Sequence, residues 1–212
     1  TGGVNGIVTA GGPITLSFND LEIQGLLPGE ANYGTANATQ LTTVDTTAGG
    51  ANTPANITVQ PATGTETGGV SVVNGLPIKG SPIPINIGST VLPDANNGSI
   101  NLSQGDLDTF IGRQLTIGRN SVVGFEAGPI TVSAAVVMNP VNVPVMNLVS
   151  GGEISDLGAT SGLARSPVLG TGISFRLGLD AFGDIGLVGT GNNTDVLAAQ
   201  TANRASNIRY VD

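Results

Sequence analysis

Short runs in which apolar and polar residues alternate recur along the chain, separated by glycine, proline and asparagine. The clearest is the run 13–18, in which three apolar side chains alternate with Thr15 and Ser17. This two-residue period is typical of a half-buried β-strand bounded by turns. Similar runs predict further strands at 41–44, 57–59, 70–73, 83–87, 89–92, 121–125, 130–137, 141–149, 173–179, 185–188 and 208–211.

Many short strands with frequent turns favour an all-β fold, and we expect a β-sandwich or jelly roll of antiparallel strands. No short fixed period runs through the chain, which argues against a regular solenoid. Pro84 and Pro144 restrict their strands to sheet edges, strand starts or bulges, because proline donates no backbone hydrogen bond. The expected domain organisation is an N-terminal strand segment, 1–18, followed by one sandwich domain, 19–212, with an exposed polar insertion at about 30–68.

Helical patterns are few. Apolar residues at i, i+3, i+4 and i+8 from Leu107 predict one short helix near 104–115. Ser103 and Asp106 have the spacing of a capping box at its start. The tail 194–205 is a second candidate for a short helix, placed just before the last predicted strand.

The composition lacks most groups from which active sites are built. The 212 residues include no Cys, His or Trp, and only 10% are charged. A nucleophile would need a base, and with no histidine the single lysine, Lys79, is the candidate. The nearby Ser81 would be its nucleophile, but Ser81 lies in a predicted turn. Carboxylate pairs suited to glycoside hydrolysis occur, but the chain has few aromatic residues to bind a sugar. These pairs are Asp106 with Asp108, Glu153 with Asp156, and Asp180 with Asp184. We therefore expect no catalytic residue and no enzymatic activity.

Charge and hydropathy narrow the partners. The net charge is −8 and only seven residues are basic, so phosphate neutralisation and nucleic-acid binding are not expected. No window approaches the ~20 apolar residues that span a bilayer. The chain starts at Thr1 rather than Met, as expected after removal of a targeting segment. We expect a secreted, cell-surface or extracellular protein.

Few ligands suit this sequence. No cofactor is expected, and the glycine strings at 170–172 and 189–191 lack the third glycine and following helix of a dinucleotide site. Structural calcium is the ligand best suited to the loop residues, with 94–98 as a partial match to a calcium loop. Among the Asn-x-Ser/Thr sequons, Asn37 and Asn56 lie in the predicted insertion and are the candidate glycosylation sites.

So few charged residues leave the surface of a single subunit poorly protected. Burial of that surface between copies would protect it. The main hypothesis is therefore a structural subunit that self-assembles into a filament, such as a pilus, fimbria or matrix fibre. An alternating strand flanked by glycine can be donated to the sheet of a neighbour. The candidate assembly strand carries Val4, Val8, Ile14, Leu16 and Phe18, with Gly11 and Gly12 as its hinge.

Three alternatives remain open at this point. The N-terminal strand can equally pair within its own sheet. The chain can be a shell or tail structural protein of a virus or phage, which would share the low cysteine content and the burial between copies. It can also be a surface- or carbohydrate-binding module.

Overall fold

The computed structural model describes residues 6–18, 43–47, 54–61, 83–88, 99–120, 126–166, 173–203 and 205–212. These residues form short β-strands and one five-residue helix. In chain order the elements are β1 (Gly6–Val8), β2 (Ile14–Phe18), β3 (Thr43–Asp45), β4 (Asn56–Pro61), β5 (Ile83–Ile87), β6 (Ile100–Leu102), α1 (Gln104–Asp108), β7 (Phe110–Ile111), β8 (Gln114–Gly118), β9 (Ala127–Val132), β10 (Ala135–Met138), β11 (Val145–Ser150), β12 (Ile154–Asp156), β13 (Gly162–Arg165), β14 (Arg176–Ala181), β15 (Ile185–Leu187), β16 (Val196–Thr201) and β17 (Ile208–Tyr210).

All pairs between these strands are parallel. The first long sheet has the order β16-β14-β11-β8-β4-β2, and the second has the order β17-β15-β12-β9-β5-β6. Two smaller sheets, β1-β3-β7 and β10-β13, are also parallel. The expected antiparallel β-sandwich or jelly roll is therefore wrong. Parallel neighbours cannot be joined by hairpins, so the chain must travel around the molecule between one strand and its neighbour.

The strand order shows how it travels. Strands of the first long sheet follow one another in chain order, and from β8 onward each is followed by one strand of the second long sheet. Each coil therefore adds a layer to both sheets, and the fold is a parallel β-solenoid. One step departs from this order, because β6 follows β5 in the chain but lies on the side of β5 away from β9.

Unequal coil lengths hide the repeat from the sequence. The spacing between stacked positions is 31 residues from Leu115 to Met146, 31 from Met146 to Leu177, and 20 from Leu177 to Leu197. The two earlier steps are longer, 43 residues from Ile14 to Ile57 and 58 from there to Leu115. The absence of a fixed period correctly excludes a regular repeat, but it does not exclude an irregular solenoid.

The core consists of apolar side chains stacked from coil to coil. Parallel strands in register place equivalent side chains one above the other, about 4.8 Å apart. One such stack is made of isoleucine alone, and we call it the isoleucine column. It consists of Ile100, Ile85, Ile130, Ile154, Ile185 and Ile208. Matching apolar stacks from the first long sheet complete the core, which suits a chain rich in aliphatic and poor in aromatic residues.

The predicted domain limits can be compared with the described strands. Strands β1 and β2, from the expected segment 1–18, pair with strands from the remainder of the chain. Within the expected insertion at 30–68, β3 and β4 belong to two sheets and contribute Val44, Ile57 and Val59 to the core.

Two local predictions depended on backbone chemistry. Pro84 lies in the interior strand β5 at a register shift between Ile83 and Ile85, a bulge of the kind the sequence required.

The capping box is present, because Ser103 Oγ accepts from the N–H of Asp106 and the carboxylate of Asp106 accepts from the N–H of Ser103. The helix ends at Asp108, however, and the apolar residues after it lie in β7 and β8. Its predicted extent to 115 is therefore wrong.

Candidate assembly surface

The isoleucine column is closed at one end and open at the other. Ile100, in the first layer, and Ile185, in the fifth, are buried, whereas Ile208 in the last layer is 47% exposed. The first long sheet shows the same contrast, because Ile14 is buried and its stacked equivalent Leu197 is 36% exposed. Among the described residues nothing stacks on β16 and β17, so their inward-facing apolar side chains contact solvent. We call these two strands the terminal coil.

Strand β16 is an unprotected sheet edge. Proteins usually block such edges with charged side chains, proline, bulges or very short strands. β16 is six residues long, pairs in unbroken register with β14, and contains neither a charged residue nor proline. Val196, its first residue, is 50% exposed. The edge therefore offers unpaired backbone groups beside apolar side chains, which is the arrangement that accepts another strand.

The terminal coil is attached to the coil below it by side-chain contacts as well as by sheet pairing. Asp195 Oδ2 accepts from the N–H of Phe175 at 2.7 Å, and its Oδ1 lies 3.4 Å from Arg165 Nη1. That ion pair is partly exposed and adds little stability by itself. Its consequence is positional, because Asp195 immediately precedes β16 and links its start to two earlier segments.

A second set of contacts attaches the end of the chain. Tyr210 Oη lies 3.0 Å from Thr194 Oγ1 and 3.3 Å from Asp212 Oδ1. Asp212 also accepts from the N–H of Thr194. Burial raises the pKa of the Tyr210 phenol; the hydrogen bond with Thr194 opposes this shift, and the negative charge of Asp212 adds to it. The start of β16 and the end of β17 are thus linked across the open face of the solenoid.

Another sheet edge in the molecule is covered by a side chain. Gln104, in α1, donates from Nε2 to the carbonyl of Val137 at 3.0 Å and accepts from its N–H at Oε1 at 2.8 Å. The amide therefore takes the place of a neighbouring strand on β10. No described side chain makes an equivalent contact with β16, so the two edges differ in chemistry as well as in position.

The residues of the expected assembly strand lie at the opposite end. Strand β2 pairs with β4 over five residues, and Ile14 and Leu16 are buried in the core of their own chain. Val8 lies on β1, which pairs with β3, and is exposed. Phe18 is the last residue of β2, and Val4 lies outside the described residues. In this structure β1 and β2 pair with β3 and β4 of the same chain.

The expected hinge forms a hydrogen-bonded turn. Gly11 has a φ of 79°, a conformation that glycine adopts readily, and its N–H donates to the carbonyl of Thr46. The hydroxyl of Thr9 donates to the carbonyl of Gly12. The two glycines therefore redirect the chain between β1 and β2.

Two of the sequons beyond the preferred pair are buried, Asn101 and Asn192. Of the preferred pair, Asn56 is half-buried and accepts a hydrogen bond from Arg113 Nε at 3.2 Å, whereas Asn37 lies outside the described residues.

Three of the acidic residues considered for catalysis have structural contacts. Asp106 caps α1, Asp156 accepts from the N–H of Gly189, and Asp184 accepts from the N–H of Asn207. Within the described ranges no three His, Cys, Asp or Glu residues are grouped as metal ligands. The partial calcium loop at 94–98 and Lys79 with Ser81 lie outside those ranges.

A groove of about 340 Å³ crosses the outward face of β11, β14 and β16. Its polar lining residues are Asn147, Asp180 and Gln200, and its floor includes Gly178 and Ala198. A Cβ at Gly178 would lie 2.2 Å from Asn147 Oδ1, so the Asn147 amide occupies the space that a side chain there would need. These groups can exchange hydrogen bonds with a polar ligand, but they do not combine a nucleophile with a base.

The sequence prediction missed β16. The segment 194–205 was expected to be helical, whereas 196–201 is a strand. The alternation of inward and outward positions in Val-Leu-Ala-Ala-Gln-Thr is weak because two adjacent residues are alanine. The last predicted strand is confirmed as β17, at 208–210. One feature of the sequence could have located this edge strand. The six residues 196–201 carry no charge and lie shortly before the strand predicted at 208–211.

Comparison with known proteins gives no family for this chain. No protein-family model, no curated protein and no solved structure matches it. Among the described residues, no helix has the length and apolar character needed to cross a membrane.

Proposed function

We propose that the chain is a non-enzymatic extracellular structural subunit that self-assembles, with the terminal coil as its joining surface. The observation that carries the proposal is the exposure of apolar core positions on β16 and β17, whose equivalents in every lower layer are buried. Covering these side chains and pairing the free backbone edge would extend the interactions that hold the coils together.

The proposed product is a filament of the pilus, fimbria or matrix-fibre kind at the cell surface or outside the cell. A solenoid supports such a role because strength along its axis comes from backbone pairing rather than from specialised side chains. The composition agrees with this, since the chain is short of charged residues and lacks cysteine and histidine. The N-terminal strand is not needed as a donor in this proposal, because β2 is already paired with β4.

The decisive experiment is negative-stain imaging of the complete chain together with a Leu197→Lys variant. Leu197 is already partly exposed, so lysine can reach solvent in the free subunit but would be buried unpaired in a joint. We expect filaments from the unmodified chain and their loss in the variant. Val141→Lys is the matched control, because Val141 is an exposed apolar residue in a turn distant from the terminal coil in the stack.

Each outcome of that experiment has a meaning. Filaments that persist in Leu197→Lys would exclude the terminal coil as the joint. Closed shells from the unmodified chain would favour a shell protein of the viral or phage kind. Dispersed monomers at every concentration would exclude self-assembly.

A second candidate function, carbohydrate binding, is supported by the groove on β11, β14 and β16. Asn147, Asp180 and Gln200 supply amide and carboxylate groups that suit a hydroxyl-rich ligand. Asp180 is held in place by a hydrogen bond from Asn120 Nδ2 at 3.0 Å. Titration of a saccharide panel against the chain and a Gln200→Ala variant tests this function. Binding that is absent from the chain, or unchanged in the variant, would exclude the groove.

A further inference from the structure

We propose that a neutral, linear polysaccharide lies along the outer face of the first long sheet, with Phe182 as its aromatic anchor. This inference rests on the second candidate function, carbohydrate binding in the groove, and names the class of saccharide. It does not depend on self-assembly. Two features carry it: an in-register column of uncharged side chains that runs into the groove, and an exposed aromatic ring beside the groove.

One column of outward positions crosses all six strands of the first long sheet. Its members are uncharged and stack in register from β2 to β16. They are Thr15, Thr58, Thr116, Asn147, Gly178 and Ala198. Successive layers are about 4.8 Å apart, so the column spans about 24 Å parallel to the solenoid axis. The threonine hydroxyls therefore continue the groove in its own direction, and we call the whole column the outer track.

The chemistry of the outer track favours a neutral polysaccharide. Strands β2, β4 and β8 contain no charged residue, and the groove adds one carboxylate, Asp180. Among the described residues, neither Asp180 Oδ1 nor the Asn147 amide has a hydrogen-bond partner. The carboxylate would repel an anionic chain, whereas a peptide would pair with a strand edge rather than with side chains on a sheet face. Repeated hydroxyls of a neutral glycan match hydrogen-bonding groups repeated along the axis.

Phe182 provides the anchor. It follows Ala181, the buried last residue of β14, and is 56% exposed. In the adjacent coils, the residues that follow the partners of Ala181 are Gly151 and Ala202, which are too small to cover the ring. Phe182 lies two residues beyond Asp180, about 7 Å along the strand. An aromatic face packs against the apolar C–H face of a sugar, so the ring supplies the stacking that the polar groove lacks.

The test is calorimetric titration of the chain with cello-, chito- and malto-oligosaccharides of increasing length. We expect affinity to rise with length until the ligand spans the outer track. Phe182→Ala should weaken binding by about tenfold, whereas Phe182→Tyr, which keeps the ring, should retain it. Oligogalacturonides, which carry a carboxylate on each sugar, should bind less tightly than neutral chains of the same length.

Two further variants complete the test. Thr58→Val removes one hydroxyl of the outer track and keeps the shape of the side chain, so it should lower affinity for long oligosaccharides more than for short ones. Leu157→Ala is the matched control for Phe182→Ala, because Leu157 is 71% exposed and follows β12 in the second long sheet. It should leave affinity unchanged. Circular dichroism of each variant should match that of the unmodified chain.

The outcomes separate this inference from the function on which it rests. If oligosaccharides bind and Gln200→Ala weakens them, but Phe182→Ala or Thr58→Val binds long chains as the unmodified chain does, the inference is wrong and carbohydrate binding in the groove stands. Oligogalacturonides that bind as tightly as the neutral chains would exclude the neutral class. If no oligosaccharide binds, both the inference and the second candidate function are wrong.

Discussion

The buried side-chain carbonyl of Asn192 accepts a hydrogen bond from the backbone N–H of Leu163 at 3.0 Å. Its Nδ2 donates to the carbonyl of Gly189 at 2.9 Å. One amide side chain thus satisfies backbone groups of two successive coils at a corner of the solenoid, where the sheet ladder ends. Together with Gln104 on β10, it shows that amide side chains replace missing strand contacts in this fold.

Replacement of Asn192 should destabilise the chain. Asn192→Ala leaves the N–H of Leu163 and the carbonyl of Gly189 without these partners in a buried site. We expect the free energy of unfolding to fall by about 1–3 kcal/mol, measured by urea denaturation. Asn193→Ala is the control, because this side chain is exposed and should change stability by less than about 0.5 kcal/mol. Equal effects of the two substitutions would contradict the bridging role.

Two glycines of the solenoid should respond oppositely to alanine. Gly118 has a φ of 94°, and a Cβ there would lie 2.1 Å from the carbonyl oxygen of Val149. Gly118→Ala should therefore cost at least about 1–3 kcal/mol of stability in thermal or urea unfolding. A Cβ on Gly186 would meet nothing within 4 Å, and Gly186→Ala should be neutral or stabilise the strand by about 0.5–1 kcal/mol. A stable Gly118→Ala variant would contradict the close approach of β8 and β11.

The isoleucine column predicts a gradient of mutational cost. Ile154→Ala removes a fully buried side chain from the middle of the column and should cost about 2–5 kcal/mol. Ile208→Ala, at the exposed end, should cost less than half as much in the monomer. It should instead weaken assembly, which sedimentation at several concentrations measures. A large loss of monomer stability in Ile208→Ala would show that the terminal coil is not open.

The contacts of Tyr210 predict a loss of stability at alkaline pH. Its pKa is raised above the ordinary tyrosine value of 10.0 in the folded chain, so the folded state holds the phenol proton more tightly than the unfolded state does. Below pH 10 this contributes no pH dependence, because both states are protonated. As pH rises from 10 through the folded pKa, the unfolded state loses its proton first and stability falls. Melting temperatures from pH 8 to 11 should therefore decline more steeply for the unmodified chain than for Tyr210→Phe, and identical slopes would contradict this assignment.

Most strand positions could be predicted because alternation is a local property. The run 13–18 contains β2, and the predicted strands at 83–87 and 185–188 coincide with or contain β5 and β15. The capping box at Ser103 could be predicted for the same reason, since its two partners are three residues apart. Strand β16 could not, because Ala198 and Ala199 fit either a helix or a strand, and only pairing with β14 decides between them.

The sequence by itself determined that this chain is built from short strands with an aliphatic core and that it lacks the side chains of most active sites. It also placed a bulge or edge at Pro84, since proline lacks the N–H that an unbroken ladder needs. Only the tertiary structure decided that the strands are parallel, because an alternating strand has the same pattern beside a parallel or an antiparallel neighbour. Coil steps of 20 to 58 residues between stacked positions hid the repeat. The open face at Leu197 and Ile208 is likewise a property of stacking, since it depends on which coil lies last.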